Sequence, residues 1–228
     1  MPLPLPLSRA ELEDIALVHG TPFQLYDEEG IRSNARSLIS AFSGAFPRFV
    51  EFFAVKALPN PAILRVLLDE GCGLDCSSTA ELHVASLLGV PPSRVMYTSN
   101  FTSAADLAVA SAQGVIINLD DASLVQSLRD VSRDGVLPQL ISFRLNPGVG
   151  RTDSESASNV LGGPDAKFGV PRDGIVAAYA AAVAGGATRF GIHMVRVCGT
   201  ARHAMQCDQA TSPLDRPCVL PRYLPQCR

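Results

Sequence analysis

In 228 residues, 47% hydrophobic and 18% charged side chains describe a globular domain with enough chain to bury a large core, and exclude disorder and collagen-like repeats. A formal net charge of −3 leaves no basic excess for a phosphate backbone, so nucleic acid is not an expected partner. No apolar run is long enough to span a membrane, and the opening Met1-Pro2-Leu3-Pro4 lacks the basic region of a signal peptide. A cytoplasmic protein with no membrane partner is the expectation.

In chain order, Ser8 and Glu11 form a capping box that opens a helix to about residue 18, and Gly20 stops it. A first strand is predicted over 23–27 and a helix over 31–46. Residues 49–55 are a continuous apolar run too short for a buried helix, and read as a buried strand ending at Lys56. Asn60 caps and Pro61 begins the next helix, which closes at Gly71, and a short strand follows at 74–76. A second Ser/Glu pair, Ser78 and Glu81, opens a helix to residue 88. Then come a strand at 95–98, a helix at 103–112 ended by Gly114, and a strand at 115–119. A helix at 122–131, a strand at 140–145, an alanine-rich helix at 174–184 and a strand at 189–195 complete the series.

Strands alternating with helices at this spacing imply an α/β fold with parallel pairing, because a parallel connection needs a crossover helix. Doubly wound sheets and (β/α)8 TIM-type barrels both satisfy it. Polar residues recur at strand carboxyl ends, namely Lys56, Asp75, Asn100, Asn118, Arg144 and His193. In a barrel those ends converge on one face, which favours the barrel.

Six cysteines are too few for a disulfide scaffold and show no paired knuckle spacing, so reduced thiols and no metal site are expected. Only two lysines occur, Lys56 and Lys167, against seventeen arginines. At the end of a Phe, Val and Ala strand, the Lys56 amine would meet apolar surroundings that make it a nucleophile able to form a Schiff base. The plainer alternative is a lysine snorkelling into solvent. Arg144, within Phe143-Arg144-Leu145, must be paired or hold an anion, and Asp75 is a candidate partner. His193 ends another apolar strand and could reach the same mouth, though a lone histidine there is more often a satisfied core group than a catalyst. His19, His83 and His203 read as surface residues.

Taken together, Phe53-Ala54-Val55-Lys56-Ala57, Gly73-Leu74-Asp75-Cys76-Ser77-Ser78 with Glu81, Tyr97-Thr98-Ser99-Asn100, Arg144-Leu145-Asn146-Pro147-Gly148, Lys167-Phe168-Gly169 and Gly191-Ile192-His193 follow one family's order and spacing. The chain resembles the barrel-type, pyridoxal-phosphate-dependent amino-acid decarboxylases, the ornithine, arginine and diaminopimelate enzymes, over roughly residues 21–195. Asn146-Pro147-Gly148 makes it most similar to the diaminopimelate type. The resemblance implies pyridoxal 5'-phosphate as cofactor and a carboxy-lyase acting on a small amino acid, meso-diaminopimelate, to give L-lysine. It implies that Lys56 carries the cofactor, that His193 stacks on its ring, and that Asp75 and Arg144 support it. Lys167 resembles a dimer-contact lysine, while Asn100 and Asn118 match positions at the barrel mouth with no role attached. Another barrel enzyme of the same cofactor, such as an alanine racemase, and a non-catalytic cofactor- or partner-binding fragment are the alternatives.

After Met194 the sequence changes character. Residues 196–228 hold five arginines, two aspartates, four prolines and four cysteines with no countable period. The expected division is a cofactor-binding barrel domain over 1–195, partial at about six strands, and an atypical tail over 196–228. The family's glycine-rich phosphate loop, its last barrel strands and its C-terminal β-domain have no counterpart in the sequence. The resemblance implies a homodimer, which a shortened and inactive chain is not expected to complete.

Overall fold

The computed structural model describes residues 7–148 and 168–195. Helices α1 (Arg9–His19) and α2 (Glu28–Ser43) precede the alternation. There follow β1 (Phe52–Ala54), α3 (Pro61–Asp69), β2 (Gly73–Cys76), α4 (Thr79–Leu87), β3 (Val95–Thr98), α5 (Ala104–Gln113), β4 (Ile116–Leu119), α6 (Leu124–Val131), β5 (Leu140–Arg144), α7 (Ile175–Ala184) and β6 (Arg189–His193). Local chemistry sets most boundaries. The Ser8 and Ser103 hydroxyls accept the N–H groups three residues on, while Glu11 and Asp106 reach back to the capping residue, and Asn60 caps a helix that begins at Pro61.

All six strands are parallel and their spatial order is their chain order, β1-β2-β3-β4-β5-β6. A doubly wound sheet reverses its order at a switch point; this one never does, which is the winding of a barrel wall. Right-handed crossovers wound in one direction put every intervening helix on the same face. That face is the core. Leu74, Cys76, Val95, Tyr97, Ile117, Leu119, Ile141 and Phe143 are buried there together with helix residues such as Leu64, Leu82, Leu107, Leu128 and Ala182. Side chains alternate along a strand, so the intervening residues, including Asp75, Thr98, Asn118, Ser142 and Arg144, belong to the opposite face. Tyr179 of α7 secures the last strand, donating from its hydroxyl to the Gly191 carbonyl at 2.6 Å and packing edge-on against Phe143 and Phe190.

The segment 23–27, expected as a strand, is not one. It pairs with none of the six strands, and Phe23, Leu25 and Tyr26 are exposed, so its β-prone composition has no neighbouring backbone to bond. No described helix is long and apolar enough to cross a membrane. Cys72 and Cys76 are free and buried, and burial pushes the Cys76 thiol up to about 12, which keeps it protonated. The other four cysteines lie outside the described residues.

Candidate active site

Register places the polar row. Ala54 is opposite Asp75, Thr98 opposite Asn118, Asn118 opposite Ser142, and Arg144 opposite His193. Because facing residues in register share a face, Asp75, Thr98, Asn118, Arg144 and His193 stand on the side of the sheet away from the helices, near the carboxyl ends of β2 to β6.

Lys56 lies just past β1, within a 3-10 turn over Val55–Ala57, and its charge acts on the Asp75 carboxyl. The apolar surroundings expected for its amine are absent. The strand stops at Ala54, only Val55 turns into the core, and Lys56 is exposed.

Asp75 is half-buried. Burial pushes its carboxyl pKa up, against the opposing effects of the Thr98 hydroxyl and the Lys56 charge. Its Oδ1 is buried without an aligned hydrogen-bond partner.

Arg144 does not pair with Asp75. Its Nη1 donates to Oδ1 of Asp120 at 3.2 Å, with both side chains 11% exposed. The reason is topological: β2 and β5 are separated by β3 and β4, whereas Leu119 faces Phe143, so the next residue of β4's chain meets the next of β5. Burial raises the Asp120 carboxyl, and Arg144 and the Gly169 N–H oppose that rise. The Arg144 guanidinium also sits 4.9 Å above the Phe168 ring, a cation–π contact, and Phe101 packs edge-on against Phe168 at 6.2 Å. Gly169 makes this possible. At φ +85 a Cβ there would lie 2.9 Å from the Asn146 nitrogen and 3.1 Å from the Arg144 carbonyl, so only glycine lets the returning chain lie against β5's end.

His193 is half-buried and its Nδ1 has no hydrogen-bond partner. Burial, then the neighbouring Arg144 charge, hold its pKa below the usual histidine range, which favours the neutral ring. Of the remaining expected residues, Asn118 is buried in this row and Asn100 is exposed just beyond β3. His19 and His83 are exposed on α1 and α4. Lys167 and His203 lie outside the described residues.

Two functional candidates escaped the sequence reading. Asp120 is followed by Asp121, and an acid pair ahead of a helix is an ordinary capping pattern; Asp121 does accept the Ser123 N–H at 2.8 Å. Thr98 is a common strand residue whose hydroxyl gains meaning only from Asn118 across the ladder, which donates to it at 2.8 Å.

The two orphaned buried atoms, Asp75 Oδ1 and His193 Nδ1, on the face that also carries a cation and a paired arginine, fit a bound polar group with an aromatic ring. Comparison with known proteins agrees. The pyridoxal-binding domain of the pyridoxal-dependent decarboxylases matches residues 32–210, running past residue 195 into the compositionally distinct tail. Protein TabA of Pseudomonas amygdali pv. tabaci is 38% identical over 182 residues, which is 80% of this chain and 41% of that protein. The diaminopimelate decarboxylase of Methanothermobacter thermautotrophicus is 38% identical over 184 residues, 81% of this chain and 42% of that enzyme. The diaminopimelate decarboxylase of M. jannaschii, solved in co-complex with L-lysine, superposes with a TM-score of 0.67 at 26% identity, covering 79% of this chain and 43% of that one. The chain thus spans about two fifths of the length of these relatives. By that sequence match, and with a sheet wound as a barrel wall, it belongs to the pyridoxal-dependent decarboxylases, through their pyridoxal-binding domain.

Proposed function

We propose that this chain is the cofactor-binding portion of a pyridoxal-phosphate-dependent carboxy-lyase acting on meso-diaminopimelate to give L-lysine. The observation that carries the reading is the single polar row, Lys56, Asp75, Arg144 and His193, at the carboxyl ends of strands wound in barrel order. Asn146-Pro147-Gly148 and the 38% identical diaminopimelate decarboxylase favour that substrate within the family.

Lys56 supplies the amine that attaches the cofactor. Its exposure leaves the amine accessible to an incoming aldehyde, and Asp75 supplies the nearby negative charge that helps manage its proton. His193, whose pKa burial and then Arg144 hold low, presents a flat ring suited to stacking, and its Nδ1 remains available to a bound group. Arg144, held by Asp120 and Phe168, gives the site fixed positive charge rather than a mobile side chain. When bound, pyridoxal phosphate supplies the electron sink that allows a carboxylate to leave an amino acid's α-carbon. A cytoplasmic location and, for the whole enzyme rather than this chain alone, a homodimer with Lys167 at its contact complete the proposal.

The test is reductive trapping. Incubation with pyridoxal phosphate, borohydride reduction and peptide mapping should label Lys56, and K56A should abolish the label. Modification confined to Lys167, or none on Lys56 in a folded sample, would sink the assignment. Carbon dioxide release from labelled meso-diaminopimelate, compared with ornithine and arginine, by a version continued in the family's pattern beyond Met194 tests the substrate.

A further inference from the structure

On the helix side of the sheet, away from the polar row, α2 and α3 leave a gap over β1. Ile31, Ala35 and Leu38 of α2, Ile63 and Leu67 of α3 and Phe53 of β1 wall an open pocket of about 290 Å3. That is about twice the ~150 Å3 of an engineered apolar cavity that takes up benzene, so the space suits a small ring with a short substituent. One wall carries a charge. Glu51, two residues before Phe53 and so on the same side of the strand, lines the pocket at the amino end of β1, while Lys56 lies past the other end. The Glu51 carbonyl accepts the Gly73 N–H at 2.7 Å, which ties its backbone to β2. Its half-buried carboxyl has no hydrogen bond or ion pair to any described residue. Arg32 and Arg36 of α2 are engaged with Glu70, and Arg94 ahead of β3 donates to the Gly71 carbonyl. Burial pushes the Glu51 carboxyl up, with neither a cation nor a donor opposing it.

We propose that this pocket binds an arylalkylamine, a primary ammonium compound with a benzene-sized apolar body, whose ring packs among Phe53 and the α2 and α3 side chains and whose ammonium pairs with Glu51. The site lies on the face of the sheet and at the strand end opposite to the polar row, so the inference stands or falls apart from the functional reading above. Charge fixes the class of ligand. A carboxylate set in an apolar wall without a partner is unfavourable, and a ligand cation offsets that cost. An anion would add a second unpaired negative charge, and a neutral alcohol would leave the first one unanswered. An ammonium both donates to the carboxylate and cancels its charge. Asn34 of α2, the other polar side chain of the lining, adds an uncharged amide that can accept or donate. Cys72 lines the pocket too, one residue before the Phe52–Gly73 register pair and so beside Glu51, and its thiol is a reporter inside the site.

The experiment titrates the cofactor-free chain with phenethylamine, and with phenethyl alcohol and phenylacetate as its neutral and anionic counterparts, by calorimetry near neutral pH. The amine should bind saturably, about tenfold or more tighter than the alcohol, with phenylacetate weakest of the three. E51Q keeps the side-chain shape and removes the charge. It should abolish the preference for the amine and leave the melting temperature at or above that of the parent, since Glu51 has no partner to lose. A lowered melting temperature would mark Glu51 as a structural group and count against the site. Bound amine should also slow the reaction of Cys72 with methyl methanethiosulfonate, read on the Cys72 peptide by mass spectrometry, which separates this pocket from any amine held near Asp75. Absence of saturable binding, equal affinity for amine and alcohol, an amine preference that survives E51Q, or an unchanged Cys72 rate overturns the proposal. So does a chain that binds none of the three and sediments as a dimer dissociated by L38D, which would make the pocket a contact between copies.

Discussion

The side chain with most resting on it is Asp120, which the strand ladder delivers to Arg144 and to no other described arginine. Two side chains this enclosed are costly to desolvate, and their contact serves chiefly to keep Arg144 from being a buried, uncompensated charge. Removing one partner should therefore hurt more than removing both. D120A is expected to destabilise the fold by about 3 kcal/mol, and D120A/R144M to recover a large part of that loss, as measured by chemical denaturation. Equal destabilisation of the single and double variants would mean that Asp120 matters through the Gly169 N–H rather than through Arg144.

At the scale of elements, the crossover helices are held by apolar contact, and α2 is held to α3 by charge as well. Glu70, at the end of α3, accepts from Arg36 at 2.7 and 2.8 Å and from Arg32 at 2.9 Å, and Arg32 also reaches Glu28 and Asp69. Arg36 first, then Arg32, hold the Glu70 carboxyl down at about 2, well under the ordinary value of a free glutamate, about 4.3. A carboxyl depressed in the folded state stabilises fully above the unfolded value and loses that contribution as pH falls through the folded one. The melting temperature of E70Q should thus lie below that of the parent near neutral pH, and the gap should close between about pH 4 and about pH 2. A gap that persists unchanged in acid would assign the effect to packing. Beneath this ion cluster, Ile31, Ala35 and Leu38 of α2 and Ile63 and Leu67 of α3 line an open apolar pocket with Cys72, and Ala35, Ile63, Leu67 and Cys72 pack there as a small buried cluster.

For the molecule as a whole, much was legible in the sequence because its punctuation is local. Ser8, Asn60, Ser78, Ser103 and Gly114 mark helix ends through bonds to their own neighbours, and all six strand centres fell where short apolar runs predicted them. What failed depended on the third dimension. A strand at 23–27 needs a partner that composition cannot supply, and the Arg144 partner depends on which strand lies alongside β5. The Thr98 hydroxyl gains its partner in the same way, from Asn118 on the strand beside it. The same two-residue period that keeps leucines with the helices and polar groups on the far side also acts as a parity check on the gene. One codon inserted inside β4 would carry Asn118 and the residues after it to the leucine side, and two would return them one rung displaced. Length variation in this chain should therefore be tolerated in turns such as that around Pro91 and Pro92, and be lost within β4 and β5. A library of single-codon insertions, sorted by soluble yield and by trapping at Lys56, would display that pattern as gaps in the surviving positions, spaced by strand rather than by distance from the lysine.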